Sequence, residues 1–375
     1  MSDRSFVVTP WEVKGEVDYE KLVEEFGVQP IDEELEEKLR KYMGGQLHMQ
    51  IRRRVFFSHR DLDWILDSYE SGEKFFLYTG RGPSGHTHIG HIIPWIFTKD
   101  LQRYFDVEVY FQLTDDEKFL VKPDLSLEDT ISYAYDNSLD VIGCGFEKGK
   151  TWLFLDTEYI KTLYSIAVRI AKHLTFSTVK AVFGFTSSTN IGVIFFPAVQ
   201  AAPCILPSIL KGRNIPCLIP AAIDQDPYWR GVARAVAPKL GFYKPAQIHC
   251  KFLPGLGRGG KMSASQPETA IFTTDKPEVA EAKIMQAYTG GQPTVREQKA
   301  KGGNPDVCPV YQYYLFLFET DDAKLRERYL NCRSGSLLCG DCKETLAKRV
   351  SSFLKDHQKR RMEARNMLED FILRD

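Results

Sequence analysis

Apolar and polar positions divide the chain into three stretches of different rhythm. In residues 31–43, Ile31, Leu35 and Leu39 fall on one face and charged residues on the other. That spacing predicts a surface helix, with Glu36–Arg40 and Glu37–Lys41 as i,i+4 pairs and Gly44-Gly45 as its stop. Arg52, Arg53 and Arg54 follow, and then Phe56-Phe57. The triplet suits a solvated, ion-paired face or an RNA contact. From residue 73 short apolar runs alternate with helical stretches. Residues 75–78, 107–113, 217–223 and 248–252 read as strands, and 90–104 as a helix. Such alternation predicts a parallel sheet with right-handed crossovers, whose ligands sit beyond the carboxyl ends of the strands. Beyond residue 276 strand signals stop. Residues 345–373 read as one long helix or two, with Leu346, Val350, Phe353 and Leu354 as one stripe, continued by Met367, Leu368, Phe371 and Ile372. Lys348, Arg349, Lys355, Lys359, Arg360, Arg361 and Arg365 give it a basic complement.

The chain has 375 residues, 43% of them apolar, and a formal net charge of -1. It is long enough for two domains and an extension. No apolar run reaches the ~20 residues of a membrane span. The first twelve residues show no apolar leader segment. Near neutrality leaves nucleic-acid binding to a local basic face. Of eight cysteines, Cys144, Cys204, Cys217, Cys250 and Cys308 are scattered, and Cys332, Cys339 and Cys342 cluster. A structural zinc wants four ligands and only three thiols are local, so the reading is free thiols with no protein-bound metal.

Two motifs carry chemistry. The first runs Tyr78-Thr79-Gly80-Arg81-Gly82-Pro83-Ser84-Gly85-His86-Thr87-His88-Ile89-Gly90-His91. A strand enters a glycine-rich turn and leaves as a helix, an arrangement that favours phosphate. His88 and His91 can donate hydrogen bonds to its oxygens, and Gly90 leaves room for a nucleotide against the backbone. The second runs Pro254-Gly255-Leu256-Gly257-Arg258-Gly259-Gly260-Lys261-Met262-Ser263-Ala264-Ser265. Five of its first seven residues are Gly or Pro, which reads as a mobile loop. A lysine there can follow a leaving pyrophosphate.

Together these motifs resemble the His-Ile-Gly-His and Lys-Met-Ser-Lys-Ser pair of class I aminoacyl-tRNA synthetases, with Ala264 in place of the second lysine. Ala222-Ile223-Asp224-Gln225-Asp226-Pro227 looks like the Asp-Gln-Asp-Pro motif of the tryptophanyl branch. Residues 112–118 and 196–203 are similar to its eukaryotic and archaeal type. The resemblance begins near Pro10. It implies a Rossmann-like α/β catalytic domain over 73–275, an N-terminal extension over 1–72 packed on it, and a helical anticodon-binding domain over 276–375. It implies ATP, magnesium with the ATP, tryptophan, tRNA(Trp), a homodimer and a cytoplasmic setting. His88, His91, Lys261, Ser263 and Ser265 are then catalytic. Thr79, Gly80, Arg81, Gly82, Gly90 and Met262 bind ATP. Tyr78 and Gln112 accept the indole N–H, and Glu117, Gln200 and Gln225 hold the α-ammonium group. Indole offers one donor and no acceptor. Phenylalanine would leave these acceptors unpaired, at about 1–3 kcal/mol for each buried group, so no editing domain is needed. The rival readings are a tyrosine-specific ligase, a small nucleotidyltransferase and an inactive RNA-binding paralogue.

Overall fold

The computed structural model describes residues 6–8, 13–15 and 17–375. Most of the leader-segment reading, and Pro10, lie outside them. In chain order the strands are β1 (Phe6–Val8), β2 (Val13–Gly15), β3 (Gln29–Pro30), β4 (Phe56–Arg60), β5 (Phe76–Arg81), β6 (Val109–Leu113), β7 (Thr151–Leu155), β8 (Cys217–Ala222) and β9 (Ala246–Cys250). β1 and β2 form an antiparallel ribbon, and the other seven form one sheet in the order β3-β4-β9-β8-β5-β6-β7. The five strands from β9 to β7 run parallel, and β4 and β3 extend the β9 edge antiparallel. Residues 29–30 and 56–60 therefore contribute strands to the sheet itself.

The parallel strands are covered on both faces, which is why they read as continuous apolar runs. Side chains alternate. Leu77, Phe111, Leu113, Leu153 and Leu155 enter one core, which also takes in Ile31, Leu35 and Leu39 near the N-terminus and Leu346, Val350 and Phe371 near the C-terminus. Phe76, Tyr78, Tyr110 and Phe154 enter a second core with Phe196, Tyr228 and Trp229.

Strand order reverses between β5 and β8, so a crevice is expected there. Their ladder pairs only Phe76 with Cys217 and Leu77 with Leu218. Pro220 has no N–H to extend it, and Thr79 Oγ1 takes the Pro220 carbonyl at 3.1 Å instead. The carboxyl-end halves of the two strands are thus joined by this side-chain bond and not by ladder pairing.

Two readings need correction. The early helix spans Glu33–Tyr42, capped by Asp32, but its expected i,i+4 pairs give way to longer-range partners. Glu36 pairs with Arg54 at 3.0 Å and Lys41 with Glu70 at 2.9 Å. The C-terminal helix spans Cys339–Ala364, and Met367 to Ile372 lie beyond it. Phe371 and Leu373 instead make main-chain hydrogen bonds to Leu153 of β7. The helix also spends part of its basic complement inside. Arg361 is buried, and its Nη1 donates to Asp140 at 2.8 Å, beside His357. Arg52 and Arg53 both donate to Asp322, so this part of the triplet ties the N-terminal segment to the C-terminal helices. Among the described residues no helix is long and apolar enough to cross a membrane.

Candidate active site

β5 and β6 end side by side and bring Tyr78 and Gln112 together. Both are fully buried. The Tyr78 hydroxyl donates to Gln112 Oε1 and lies 3.1 Å from the Gln200 carbonyl. Gln112 Nε2 donates to Asp156 Oδ1 and Oδ2 at 2.8 and 3.0 Å. Gln200, near the end of the helix Ile191–Ala201, donates from Nε2 to the Tyr78 hydroxyl at 2.8 Å.

Counting donors shows what this cluster can recognise. A phenol has one proton and two lone pairs, and an amide oxygen has two lone pairs. The Tyr78 proton, the Gln112 amide protons that face Asp156 and the Gln200 proton that faces Tyr78 are committed. One lone pair on Gln112 remains, while the second on Tyr78 faces the Trp229 side chain. The cluster can therefore accept an N–H but has little to offer an acceptor. Asp156 sets that polarity, because its oxygens accept from the amide nitrogen and so turn the amide oxygen the other way. Burial raises both the Asp156 and the Asp116 carboxyl, Asp116 to about 7. Sequence reasoning missed Asp156, a lone aspartate after an apolar run.

Glu117 lies in the first turn of the helix Asp115–Val121. It accepts from Thr114 Oγ1 at 3.0 Å and pairs with Lys118 at 2.9 Å. A Cβ built on Gly82 would fall 1.9 Å from Lys118 Cε, so this glycine makes room for a cation that the sequence did not single out. A Cβ on Gly80 would fall 2.7 Å from the Gln112 carbonyl oxygen, so Gly80 serves the close approach of β5 to β6. Arg81 Nε donates to Asn137 at 3.2 Å.

The glycine turn leads into the helix Ile89–Phe105, with His88 as its N-cap residue. The His88 N–H donates to His91 Nδ1 at 3.2 Å, and the two rings stack with centroids 3.6 Å apart. Burial, and then the charges of Arg81 and Lys261, push His88 down to about 3. Burial and Arg81 likewise depress His91. Both rings are neutral at ordinary pH and offer N–H donors rather than cations.

The second motif folds over the first. A Cβ on Gly90 would lie 3.0 Å from His88 Nδ1 and 3.6 Å from Met262 Cβ. Ile89 N donates to the Ile271 carbonyl at 3.0 Å, which anchors the segment after the loop to the helix start. Gly259 and Gly260 take φ of 72° and 79°, a region that favours glycine. Lys261 Nζ rests on Asp224 at 3.0 Å, across the crevice in the turn after β8. Ser263 and Ser265 bond each other at 2.9 Å. Gln225 ends that same turn. Asp226 is architectural: it is buried and holds Arg60 of β4 at 2.6 Å.

The structure thus gathers the two motifs and the Asp-Gln-Asp-Pro turn around one crevice at the β5/β8 switch point. It sets Tyr78, Gln112 and Gln200 into a single hydrogen-bonded cluster. Comparisons with known proteins show the family. Residues 70–355 match the family of class I tRNA synthetases (W and Y). The chain is 54% identical over 371 residues to a tryptophan–tRNA ligase of Pyrococcus furiosus, covering 98% of this chain and 94% of that protein. It is 52% identical to one of Pyrobaculum calidifontis, covering 99% and 98%. Among solved structures, a tryptophanyl-tRNA synthetase from Giardia lamblia superposes with a TM-score of 0.88 at 36% identity, over 95% of this chain and 96% of that one. One from Encephalitozoon cuniculi bound to tryptophan gives 0.87 at 35%, over 95% and 98%. By sequence, fold and the geometry of this crevice, the chain belongs to the class I tRNA synthetases, in the family of the tryptophan–tRNA ligases.

Proposed function

We propose that the protein activates tryptophan with ATP, releases pyrophosphate, and transfers the tryptophanyl group to tRNA(Trp). The observation that carries this reading is the buried cluster of Tyr78, Gln112 and Asp156, which keeps an acceptor for one N–H. It lies at the carboxyl ends of the strands that lead into the phosphate-favouring turn. Thr79, Gly80, Arg81, Gly82, Gly90 and Met262 line the nucleotide side, and Glu117, Gln200 and Gln225 take the α-ammonium group.

The tryptophan carboxylate is already ionised, so no protein nucleophile is required. Its oxygen forms a bond to the ATP α-phosphorus while the bond from that phosphorus to the β-bridging oxygen breaks. Pyrophosphate leaves with the electron pair. Neutral His88 and His91 donate hydrogen bonds to phosphate oxygens. Lys261 leaves Asp224 and follows the developing charge, with Ser263 and Ser265 beside it. Magnesium arrives as part of the ATP substrate, held by phosphates and water.

The exposed Lys348, Lys355, Lys359, Arg360 and Arg365 offer tRNA a basic helix face, within a helical anticodon-binding region over 276–375. A catalytic region over 73–275, an N-terminal extension over 1–72, a homodimer and a cytoplasmic setting belong to the same reading. Amino-acid-dependent ATP–pyrophosphate exchange tests it, followed by charging of a bulk tRNA pool. Tryptophan should stimulate exchange and be charged. Stimulation by tyrosine but not tryptophan overturns the reading.

A further inference from the structure

One turn of the C-terminal helix reaches both sides of the glycine-rich turn. In a helix, residues four apart share a face, and the next residue lies about 100° round. His357 and Arg361 of the helix Cys339–Ala364 therefore face one way and Gln358 another. On the first side stands the helix Leu127–Gly143. His357 Nε2 lies 2.9 Å from Asp140 Oδ1, Arg361 Nη1 donates to Asp140 Oδ2 at 2.8 Å, and Arg361 Nη2 donates to Asp136. Arg360 Nε donates to the Gly143 carbonyl at 2.7 Å. A Cβ on Gly143 would lie 3.3 Å from His357 Cε1, so this glycine admits the close approach of the two helices.

The helix Leu127–Gly143 passes this hold on to the glycine-rich turn. Asp136 carries Arg361 on one oxygen, and its other oxygen lies 3.1 Å from His86 Nδ1. Asn137 Oδ1 accepts from Arg81 Nε at 3.2 Å, and Asn137 Nδ2 donates to the Gly85 carbonyl at 3.1 Å. Asp140 is fully buried. Burial pushes Arg81 down to about 10, and the charges of Asp140 and then Glu117 oppose that fall. The ion pair that docks the C-terminal helix therefore also supports the cation of the turn.

On the second side Gln358 Nε2 donates to the carbonyls of Thr273 and Asp275, each at 2.8 Å. These residues belong to the segment that follows the lysine loop, and that segment is laced to the turn. Thr273 N and Oγ1 donate to the Thr87 carbonyl at 2.9 and 3.1 Å, and Phe272 pairs with His88 in an antiparallel bridge. Asp275 accepts from Phe272 N at 3.0 Å and from Lys283 at 2.7 Å. The turn itself contains Gly80, Gly82 and Gly85, whose backbone freedom is costly to fix. A site ordered before its ligand arrives binds more tightly than one ordered by it. Contacts behind such a turn therefore bear on the nucleotide in front of it.

We propose that His357, Gln358 and Arg361 are positioning residues for ATP, a latch that holds the glycine-rich turn in its nucleotide-binding shape through Asp136, Asn137 and Asp140 on one side and Thr273 on the other. They act through Arg81 and the Thr87-His88 backbone rather than by contact with substrate. The inference rests on the ligase reading, which supplies ATP as the ligand of that turn. Loss of the latch weakens ATP more than tryptophan, because Tyr78, Gln112 and Asp156 bond one another and none of the three latch residues.

The test uses the full chain and two readouts: tryptophan-dependent ATP–pyrophosphate exchange, and calorimetric binding of ATP with magnesium in the absence of tryptophan. Gln358→Met keeps the side chain's bulk and loses both of its bonds. It should raise the KM and Kd for ATP by about 2- to 10-fold, the worth of one hydrogen bond, with the KM for tryptophan unchanged. Arg361→Met should raise both by about 10- to 100-fold, as for hydrogen bonds to a charged group. Leu354→Ala, one turn earlier in the same helix, removes core packing but no latch bond. It should lower Tm and leave the KM for ATP alone. If Arg361→Met fails to fold by circular dichroism, Gln358→Met decides. Unaltered ATP affinity in folded Gln358→Met, equal rises in the KM for ATP and for tryptophan, or the same loss of ATP affinity in Leu354→Ala would each overturn the proposal. If the wild type shows no tryptophan-dependent exchange, the ligase reading fails by itself, and ATP binding by the variants still decides the latch.

Discussion

The two ends of the crevice are built on opposite principles. At the amino-acid end, Tyr78 and Gln112 project from adjacent strands and are fully buried with Asp156, each 0% exposed. At the phosphate end, Lys261 keeps 29% of its side chain exposed on a loop with two left-handed glycines. Recognition of one N–H needs acceptors whose direction is fixed before the ligand arrives. Stabilising a leaving group needs a cation that travels with the charge. On the proposed reading the chemistry divides between a static network and a moving contact, and mutations at the two ends should fail differently.

The largest effect is expected at the moving end. Lys261→Ala should lower kcat for exchange by about 10²–10³, the usual loss for one charge-stabilising donor in a closed site. The KM for tryptophan should hardly change, because Lys261 bonds Asp224, whereas Tyr78 and Gln112, the proposed indole acceptors, bond each other. A proportional rise in tryptophan KM would show that the ends are not separable.

Next comes Gln112→Leu at the static end. It removes one acceptor, leaves the Tyr78 hydroxyl proton only the Gln200 carbonyl at 3.1 Å, and strands the amide-facing side of Asp156. Each buried unsatisfied group costs about 1–3 kcal/mol, so kcat/KM for tryptophan should fall about 5- to 150-fold, mostly through KM. Discrimination against phenylalanine should fall with it. Unchanged discrimination would remove Gln112 from indole recognition.

A smaller loss is expected from Asp156→Asn, because Asp156 bonds Gln112 and acts on the proposed indole site only through it. An asparagine can accept from Gln112 or donate to it, so the amide is no longer held one way. Tryptophan KM should rise several-fold with kcat nearly constant, whereas Asp156→Leu should do worse. Equal losses in both variants would mark Asp156 as a packing residue only.

This division also explains what the chain revealed without coordinates. β5, β6, β8 and β9 were legible because strands buried on both faces leave unbroken apolar runs. β4 was hidden because Phe56-Phe57 follows three arginines and leads into Ser58-His59-Arg60, so its pairing with β9 is a tertiary fact. The sequence reading missed β7, Thr151–Leu155, although its apolar run is as long as those of β6 and β9. The phosphate end announced itself through glycines and histidines at local spacing. Lys118 gave no such sign because its place is set by the room that Gly82 leaves, and Asp156 gave none because it matters only through Gln112 on another strand. The expected ion pairs of the Glu33–Tyr42 helix gave way to Arg54 and Glu70 for the same reason.

The smallest effect is on stability rather than rate, and it comes from the static end. Burial holds the Asp116 carboxyl up to about 7, against roughly 3.9 in an unfolded chain. Between those values the folded protein binds more protons than the unfolded one, so this group's contribution declines as pH rises. It is complete below about pH 4 and lost as pH passes about 7. His88, pushed down to about 3, acts in the opposite sense, losing its contribution as pH falls from about 6.5. Total stability therefore mixes both signs, and a difference isolates the carboxyl. Asp116→Asn is neutral throughout, so its Tm should gain on the wild type by a few degrees between pH 5 and 8, as the wild-type carboxyl is forced to ionise beside Asp156. A Tm difference independent of pH would show that Asp116 is already ionised at pH 5. The network behind Gln112 would then be held by two charges rather than by a shared proton.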